Sequence, residues 1–443
     1  MRVKINAVAN SPVFPEAVDV IVIGGGIVGT SITYEMAKRG ISVALFEKGV
    51  IGGEQSSRNW GWVRQQNRDL FELPLAMYSL QRWEELGSEI GIDLGFRRTG
   101  ILYGTTQETD LARWEKWGKQ AQAVGFHSQL LSAKEARERI GGSTSPWIGG
   151  VWSPTDGKAE PSLAAPALAT GAQNLGANIQ QQCAVRGLEI SAGRVAGVWT
   201  ERGLVKAGTV ICCGGAWSTR FCQRHGVELP SANILGTAFK TTVAPEVVKG
   251  CLSTPNLALR RRLDGGYTVS MPGRGRLDLA PQNLRYAAKF YPMYRSKLAK
   301  KLKFRLNGSF FSGPEASGSW AFDGVSPFEK IRVLDPAPDA QILREAIAEI
   351  ERELPELRGI AVDHAWAGWI DTTPDLVPVI DKVEKLPGFV IASGFSGHGF
   401  GIGPGAGKLV TQMVMNEQPY TDFAPYRLSR FQDGSAIRQP QMM

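Results

Sequence analysis

The sequence lacks the features that mark several classes of protein. No apolar run in its 443 residues approaches the roughly 18 to 20 residues that a membrane-spanning helix needs. The N-terminal stretch has no apolar signal core, so export is not expected. The five cysteines show no CxxC spacing and are expected to be reduced. We therefore predict a cytoplasmic protein without disulfides and without a metal site.

Charge is unevenly distributed along the chain. The net charge is +8, yet residues 260–305 hold 13 Lys and Arg against only Asp264 and Asp278. The rest of the chain is therefore slightly acidic. Such local basicity argues against a general nucleic-acid-binding protein and for a single basic surface.

Glycine is abundant, with 52 residues, and its first cluster has a recognisable context. The run "VDVIVI" (Val18–Ile23) is typical of a buried parallel strand. It leads into Gly24-x-Gly26-x-x-Gly29, then a helical pattern, then a second strand that ends at Glu47. A strand, a glycine turn, a helix and a distal acid together indicate a dinucleotide site.

Each part of this motif has a chemical reason. Gly24 is expected to form a tight turn, Gly26 to let the backbone approach a pyrophosphate, and Gly29 to let helix and strand pack closely. The first helical turn, at Ile27 and Val28, offers free N–H groups to phosphates. Glu47 is expected to accept hydrogen bonds from an adenosine ribose, with Lys48 beside it.

Three later segments favour FAD over NAD. The polar stretch "GEQSSRNWGWVRQQ" (Gly53–Gln66) stands where an NAD-binding domain would continue its compact βαβ alternation. The run "VKAGTVICCGGAWS" (Val205–Ser218) predicts a second strand and small-residue turn beneath the dinucleotide. Near the C-terminus, a strand is followed by glycines from Gly394 to Gly407 and, in this interpretation, only then by a helix.

Over residues 17–425 the chain resembles the D-amino-acid oxidase, glycine oxidase and sarcosine oxidase superfamily of FAD enzymes. The matching pieces occur in family order: the first motif, "SSRNWGW", "DGKAEP", "VICCGGAWS", "GWIDTTPDLVPVI" and "GFSGHGFGIGPGAGK". The resemblance implies an α/β fold, in which a Rossmann-like FAD-binding domain is interleaved with a substrate domain built on a mixed or antiparallel sheet. It also implies an FAD-binding domain from residues 17–60, 150–235 and 365–425, a substrate domain from 61–149 and 236–364, and a tail from 426–443.

The resemblance extends the expected FAD site to further residues. It implies that the C-terminal glycine loop and its helix close over the flavin, and that a backbone strand pair contacts the adenine. With no histidine near the first motif and no cysteine after Cys251, the FAD is expected to be noncovalent. The implied contacts are Ser57, Arg58, Asn59, Trp60, Gly61, Val185, Gly214, Gly215, Trp217, Gly368, Gly394, Gly397, His398, Gly399, Phe400 and Gly401.

The family oxidises a C–H bond next to an amine, which implies oxidation of an amino acid or secondary amine to an imine that water then hydrolyses. Electrons pass to O₂ or to an external acceptor. Glycine-oxidase-like relatives carry a substrate-clamping arginine where this chain has Ile370, so a carboxylate must be held elsewhere. The candidate clamps and pocket walls are Arg64, Arg68, Arg260 to Arg262, Tyr267 on a hairpin with a Gly265–Gly266 turn, Trp60, Trp62, Trp366 and Trp369.

Residues 285–306 predict a basic amphipathic helix of about three to four turns. It is expected either to pack on the substrate domain or to dock on an anionic membrane surface or an electron acceptor. Two other functions stay open at this point: a subunit of a heteromeric sarcosine- or opine-type dehydrogenase, and a flavoprotein that only carries electrons. An oligomer is compatible with all of these functions.

Overall fold

The computed structural model describes residues 3–295 and 302–439, which form two large β-sheets, two small ones and the helices packed on them. The smaller of the large sheets is parallel except at one edge. Its strands, from edge to edge, are β21 (Val379–Lys382), β22 (Phe389–Ser393), β13 (Thr209–Cys212), β1 (Val20–Ile23), β2 (Val43–Phe46) and β9 (Asn178–Gln180).

This sheet is covered on both faces, as its apolar strands require. On β1, Val20 and Val22 belong to one core cluster while Ile21 belongs to another. The first core includes α1 (Ile27–Ala37), α6 (Pro161–Asn174) and α12 (Gly399–Val414); the second includes the 3₁₀ turn Gly215–Trp217 and α7 (Ser218–Arg224).

Of the seven C-terminal glycines, Gly394 and Gly397 precede α12 and the other five lie inside it, so the prediction that the helix starts only after Gly407 is wrong. The helix begins at Gly399 and runs through the glycines. They allow α12 to lie directly against its neighbours, because a Cβ on Gly407 would be 2.7 Å from the Ser31 Cβ and one on Gly405 would be 2.9 Å from the Leu75 carbonyl oxygen. Close packing of helices, and not loop flexibility, accounts for this glycine run.

The larger sheet has ten strands and is mostly antiparallel. Its strand β20 pairs with β14 over almost its whole length, from Ala232 opposite Thr372 to Thr241 opposite Val362. The predicted boundaries at residues 236 and 365 therefore fall inside two adjacent strands. The members are β19 (Leu302–Arg305), β18 (Gly275–Asp278), β14 (Ala232–Thr241), β20 (Val362–Thr372), β17 (Tyr267–Ser270), β16 (Ala258–Arg261), β15 (Cys251–Ser253), β5 (Ile101–Thr105), β7 (Gly149–Ser153) and β6 (Gln129–Ser132).

The predicted hairpin at 259–271 is confirmed, since β16 and β17 are antiparallel neighbours joined across Gly265 and Gly266. The single basic helix predicted for 285–306 is wrong. The structure has α8 (Pro281–Arg285), α9 (Ala287–Arg295) and then strand β19, which pairs in parallel with β18. An open sheet edge offers this segment backbone hydrogen bonds that the four-residue spacing alone did not reveal. Residues 296–301 of the predicted helix lie outside the described residues.

The remaining elements surround these sheets. Among the described residues, no helix is long and apolar enough to cross a membrane. The small sheets contain β10 (Val185–Ser191), β11 (Arg194–Thr200) and β12 (Gly203–Lys206), and β3 (Trp62–Val63), β8 (Gly157–Lys158) and β4 (Arg97–Arg98). The other helices are α2 (Gln55–Arg58), α3 (Leu73–Ile90), α4 (Glu108–Gln122), α5 (Ala133–Ile140), α10 (Pro327–Lys330) and α11 (Ala340–Glu353).

Candidate functional site: a dinucleotide cleft

A long cleft opens at the carboxyl ends of β1, β2, β13 and β22, where parallel sheets place their ligands. It contains about 1250 Å³ of space free of protein atoms, its open mouth included. Many of the residues selected from the sequence line it: Gly24, Gly26, Ile27, Val28, Glu47, Lys48, Asn59, Val185, Gly214, Gly215, Trp217, Trp369, Gly397, Gly399 and Phe400.

The first glycine motif forms one wall. Gly24 has φ +105°, and a Cβ there would lie 2.5 Å from the Cys213 carbonyl oxygen. A Cβ on Gly29 would be 2.0 Å from the Gly24 carbonyl oxygen, so this residue joins helix to strand. At Gly26 the nearest atom to a Cβ is Ser56 Oγ at 3.0 Å. A Cβ at Gly26 would narrow the cleft at the N-terminus of α1. The N-terminal end of a helix favours phosphate binding.

Glu47 is fixed at the end of β2 by two backbone donors. Its Oε2 accepts from the Gly25 N–H at 2.7 Å and its Oε1 from the Gly49 N–H at 2.6 Å. Burial raises the pKa of this carboxyl, and Lys48 opposes that shift. A carboxylate has about four acceptor positions, so Glu47 retains capacity for ribose hydroxyls.

Residues 326–336 form a segment that crosses the cleft, and we call it the strap. Lys48 Nζ donates to the carbonyl oxygens of Ile331 (3.1 Å) and Arg332 (2.9 Å). Arg332 pairs with Glu201, and Glu54 Oε1 accepts from the Leu334 N–H at 3.0 Å. The strap contributes Phe328 and Val333 to the cleft wall.

Two of the implied FAD contacts, Ser57 and Arg58, are directed elsewhere. Ser57 is buried and donates to the Glu54 carbonyl oxygen at 3.2 Å. Its neighbour Ser56 lines the cleft and accepts from the Ile27 N–H at 2.8 Å. Arg58 is buried and bonded to Asp335 and the Ala367 carbonyl oxygen, both at 2.8 Å. Arg58 therefore connects β20 to the strap and is not free for phosphate.

Other selected residues support the wall from behind. The Trp60 carbonyl oxygen accepts from Arg260 Nε at 2.6 Å, and Gly61 (φ +77°) lies against that guanidinium. Gly368 packs on Gln55 and Arg58. The carboxylate of Asp371 accepts from the Gly394 N–H at 2.7 Å, which attaches the end of β20 to the C-terminal loop.

His398 precedes α12 and is buried with its Nδ1 2.9 Å from Glu72 Oε2. Burial and then the Arg68 guanidinium lower the pKa of His398 to about 4. Burial opposes ionisation of Glu72, but His398 and Arg68 outweigh it and hold its pKa below the usual value. His398 is thus neutral near pH 7 and donates its Nδ1–H to an ionised Glu72. The Gly401 carbonyl oxygen, one turn on, accepts from Ser79 and Trp83.

A cationic cluster lies beside this pair. Burial and then Arg64 lower the pKa of Arg68 to about 9. Arg64 is half-buried and its Nη1 donates to the Gln66 carbonyl oxygen at 2.7 Å. In the described part of the chain four buried atoms here have no hydrogen-bond partner: two donors, Trp62 Nε1 and Arg68 Nη1, and two acceptors, Gln66 Oε1 and Glu72 Oε1.

The structure removes several substrate-site candidates. Tyr267 is fully buried, and its hydroxyl donates to the Pro245 carbonyl oxygen at 2.9 Å and accepts from the Val247 and Val248 N–H groups. Arg260 is buried in a two-point pair with Glu160. Arg262 bonds Asp264 and Arg261 bonds the Ala244 carbonyl oxygen. Trp366 is buried and donates to the Arg58 carbonyl oxygen at 2.8 Å. Each side chain serves the fold because its polar atoms are already engaged.

Some cleft residues carried no clear sequence signal. Ser56 differs from the chosen serine by one position, and Gln55 stands in the same quoted segment. Phe328 and Val333 come from the strap, far along the chain, and only tertiary structure brings them here.

Ile370, which stands where glycine-oxidase-like relatives carry an arginine, lies between Gly236 and Gly397. Its side-chain carbons are 3.3 and 3.6 Å from where a Cβ on each of these glycines would be.

Comparison with known proteins agrees with this geometry. The DAO family, described as FAD dependent oxidoreductase, matches residues 19–413. The chain belongs to this family. FAD is therefore the cofactor that the cleft holds. The glycine wall of the cleft, the Glu47 carboxylate expected at the ribose and the helix N-termini fit that molecule.

Individual relatives are more distant in sequence. The chain is 24% identical to mitochondrial sarcosine dehydrogenase of Mus musculus over 94% of its own length but only 42% of that protein. It is 25% identical to sarcosine oxidase subunit beta of Arthrobacter sp, covering 95% of this chain and 92% of the relative. The chain thus spans less than half of some relatives and nearly all of others.

Among solved structures, L-amino acid deaminase from Proteus myxofaciens in complex with anthranilate has a TM-score of 0.92 and 28% identity. The match covers 98% of both chains.

Proposed function

We propose that the protein oxidises the C–N bond of an amino acid, or of a secondary amine that carries a carboxylate, to an imine that water hydrolyses to an oxo acid and an amine or ammonia. The observation that carries the proposal is the cluster of Trp62, Arg64, Arg68, Gln66 and Glu72 beside the N-terminus of α12. Bound FAD supplies the two-electron acceptor for the hydride. The relatives named above, by their names, act on sarcosine or on L-amino acids.

The cluster fits a zwitterion. Arg68 is a buried cation whose Nη1 lacks a partner in the described structure, beside a second cation, Arg64. Glu72 compensates one of these two guanidinium charges, so a substrate carboxylate would compensate the other. The guanidinium fork matches such a group. The free acceptors on Gln66 and Glu72 suit the amine of the same molecule.

The cluster also lies near the loop that the family places at the flavin. Arg68 Nη2 is 3.5 Å from where a Cβ on Gly401 would be, and Gly399 and Phe400 line the cleft. Bound in this cluster, a carboxylate would hold the substrate at fixed distance from the α12 N-terminus. Such alignment is the main contribution a protein makes to a hydride transfer.

An anaerobic screen of the purified holoenzyme tests the proposal. D-amino acids, L-amino acids, N-methyl amino acids and 2-hydroxy acids are added singly, and loss of the visible flavin absorption is followed. We expect bleaching by at least one amino or N-methylamino acid. Bleaching by 2-hydroxy acids alone would contradict the proposal, and no bleaching by any compound would favour a flavoprotein that only carries electrons.

We further propose that the electrons leave to an acceptor at an anionic membrane surface. Leu284 (65%), Tyr291 (58%), Phe304 (54%) and Phe311 (84%) are exposed apolar side chains in the basic region 284–311. Exposed apolar groups among cations are typical of membrane-surface contacts. Co-sedimentation with phosphatidylserine vesicles, and not with phosphatidylcholine vesicles, is expected; equal recovery with both would contradict it. A protein that reduces O₂ efficiently and ignores both vesicles would be an oxidase.

The heteromeric alternative has its own signature. A subunit of a sarcosine- or opine-type dehydrogenase would be bleached by substrate yet pass electrons only after a second polypeptide is added. The isolated chain is assayed with a small artificial acceptor and, separately, with membrane vesicles. Equal rates of turnover per flavin in the two assays would argue against that arrangement.

A further inference from the structure

A second cavity adjoins the dinucleotide cleft at Trp369. It contains about 630 Å³ of space free of protein atoms, its mouth included, and Trp369 and Val333 line both cavities. Its polar lining consists of Ser309, Ser312, Glu315 and Asp335. It lies between the residue 309–315 loop and the strap, away from the Arg64–Arg68 cluster.

Glu315 is the distinctive member of this lining. The residue is 5% exposed. Its Oε1 accepts from the Asn233 N–H at 2.8 Å and from the side-chain amides of Asn283 (3.2 Å) and Gln282 (3.4 Å). Its Oε2 accepts nothing from the residues that the structure describes. Three donors therefore fix the carboxyl while one oxygen remains unpartnered beside the cavity.

The described lining of the cavity supplies no counter-ion. None of the described lining residues is Lys, Arg or His. The nearby acid Asp278 pairs with Arg276 at 2.7 Å, and Asp335 pairs with Arg58 at 2.8 Å. Burial raises the pKa of Glu315 to about 8. The empty carboxyl therefore keeps its proton near pH 7, and an ammonium group that reaches Oε2 would take the place of that proton.

We propose that this cavity binds the ammonium group of a small organic amine, with Glu315 Oε2 as its acceptor and the Trp369 indole as its aromatic contact. A carboxylate and an aromatic ring together are the usual recognition elements for an alkylammonium ion. The site is additional to the proposed substrate position. Because Trp369 lines both cavities, an amine bound here would contact a residue that also forms the wall of the FAD cleft.

The test uses a cation that the enzyme cannot oxidise. tert-Butylammonium has no hydrogen on the carbon bonded to nitrogen, so its binding is independent of turnover and of the proposed function. The holoenzyme is titrated calorimetrically with tert-butylammonium chloride, with tert-butanol as a neutral ligand of similar shape. We expect saturable binding of the ammonium ion and at least tenfold weaker binding of the alcohol.

Matched variants locate the site. Glu315→Gln should weaken ammonium binding at least tenfold, whereas Glu384→Gln, at an exposed glutamate with no hydrogen bond among the described residues, should leave it unchanged. Ser309→Trp, which adds a large side chain to the cavity lining and leaves Glu315 in place, should also abolish binding and serves if the first variant does not fold. Absence of saturable binding, equal affinity for the alcohol, or unchanged affinity in the Glu315 and Ser309 variants would overturn the proposal.

Discussion

His398 donates its Nδ1–H to the carboxylate of Glu72 across 2.9 Å, inside the protein and 326 residues away in sequence. The contact connects the start of α12 to the residue just before α3, and Arg68 lies beside both. One carboxylate therefore orients the histidine next to the flavin loop and compensates a buried cation.

Replacing Glu72 should be costly for this reason. In Glu72→Gln the Arg68 charge loses its compensating carboxylate, and loss of one partner from a buried charged group costs about 3 to 5 kcal/mol. Urea unfolding followed by circular dichroism measures the change in the free energy of unfolding. The control is Glu84→Gln, whose partner Arg98 and own side chain are 37% and 41% exposed, where a change below about 1 kcal/mol is expected. Equal losses in both variants would contradict the role given to Glu72.

Gly26→Val should prevent FAD binding while the chain still folds. The valine side chain would narrow the wall at the N-terminus of α1, where phosphate is expected to bind. The measurement is visible flavin absorbance relative to protein absorbance after purification with excess FAD. Gly208→Val is the matched control, since a Cβ there meets nothing within 4 Å and flavin content should stay normal. A fully flavinated Gly26 variant would refute the assignment of the motif.

Arg64→Ala should raise KM for the carboxylate substrate with a smaller effect on kcat. A charge-assisted hydrogen bond contributes about 1.5 to 3 kcal/mol, which corresponds to roughly ten- to hundredfold in KM. Arg64→Lys keeps the charge without the planar fork and should recover only part of the affinity. Arg194→Ala, at an exposed residue, should behave as wild type. Unchanged KM in both Arg64 variants would remove this residue from the substrate site.

Gly407→Ala should destabilise the protein even though alanine is the better helix former. The added Cβ would lie 2.7 Å from the Ser31 Cβ and 2.8 Å from the Ser31 carbonyl carbon, and such overpacking costs about 1 to 3 kcal/mol. At Gly118 in α4 the nearest atom to a new Cβ is Ser128 Oγ at 3.9 Å, so Gly118→Ala should stabilise by up to about 1 kcal/mol. Chemical unfolding of both variants compares them; stabilisation in both would show that α1 and α12 are not in close contact.

Glu315 should make the folded protein less stable as the pH rises. Burial raises its pKa from the ordinary value of 4.5 to about 8, so the folded state binds more protons than the unfolded state between these pH values. The stabilisation is complete below about pH 4.5 and is lost as pH rises through 8. Relative to Glu315→Gln, the wild type should therefore lose on the order of a few kcal/mol between pH 5 and 9. Parallel pH profiles for the two proteins would contradict this.

Local patterns in the sequence predict the nucleotide-binding end of the cleft well. Gly24, Gly29 and Glu47 act through turns and neighbours within one strand–helix–strand unit, so their spacing contains the necessary information. The β16–β17 hairpin is predicted for the same reason, because the Gly265–Gly266 pair marks the turn that joins the two short strands.

Interactions between distant segments explain what the sequence does not predict. Arg260 is a plausible substrate clamp until Glu160, 100 residues earlier, is found beside it. Helical spacing in residues 302–306 is outweighed by the open edge of β18. The strap residues Phe328 and Val333 reach the cleft through hydrogen bonds and ion pairs between distant residues, which no local pattern shows. The sequence predicts only part of the cluster beside the N-terminus of α12, because it points to Arg64 and Arg68 but not to Glu72.

The walls of the cleft come from segments that begin at Ile23 and end at Phe400, with the strap between them. During synthesis, no partial chain that stops before α12 possesses a complete binding site. Capture of FAD is therefore a late event, coupled to final closure of the whole chain, and flavin content reports the integrity of the C-terminal third as much as that of the glycine motif.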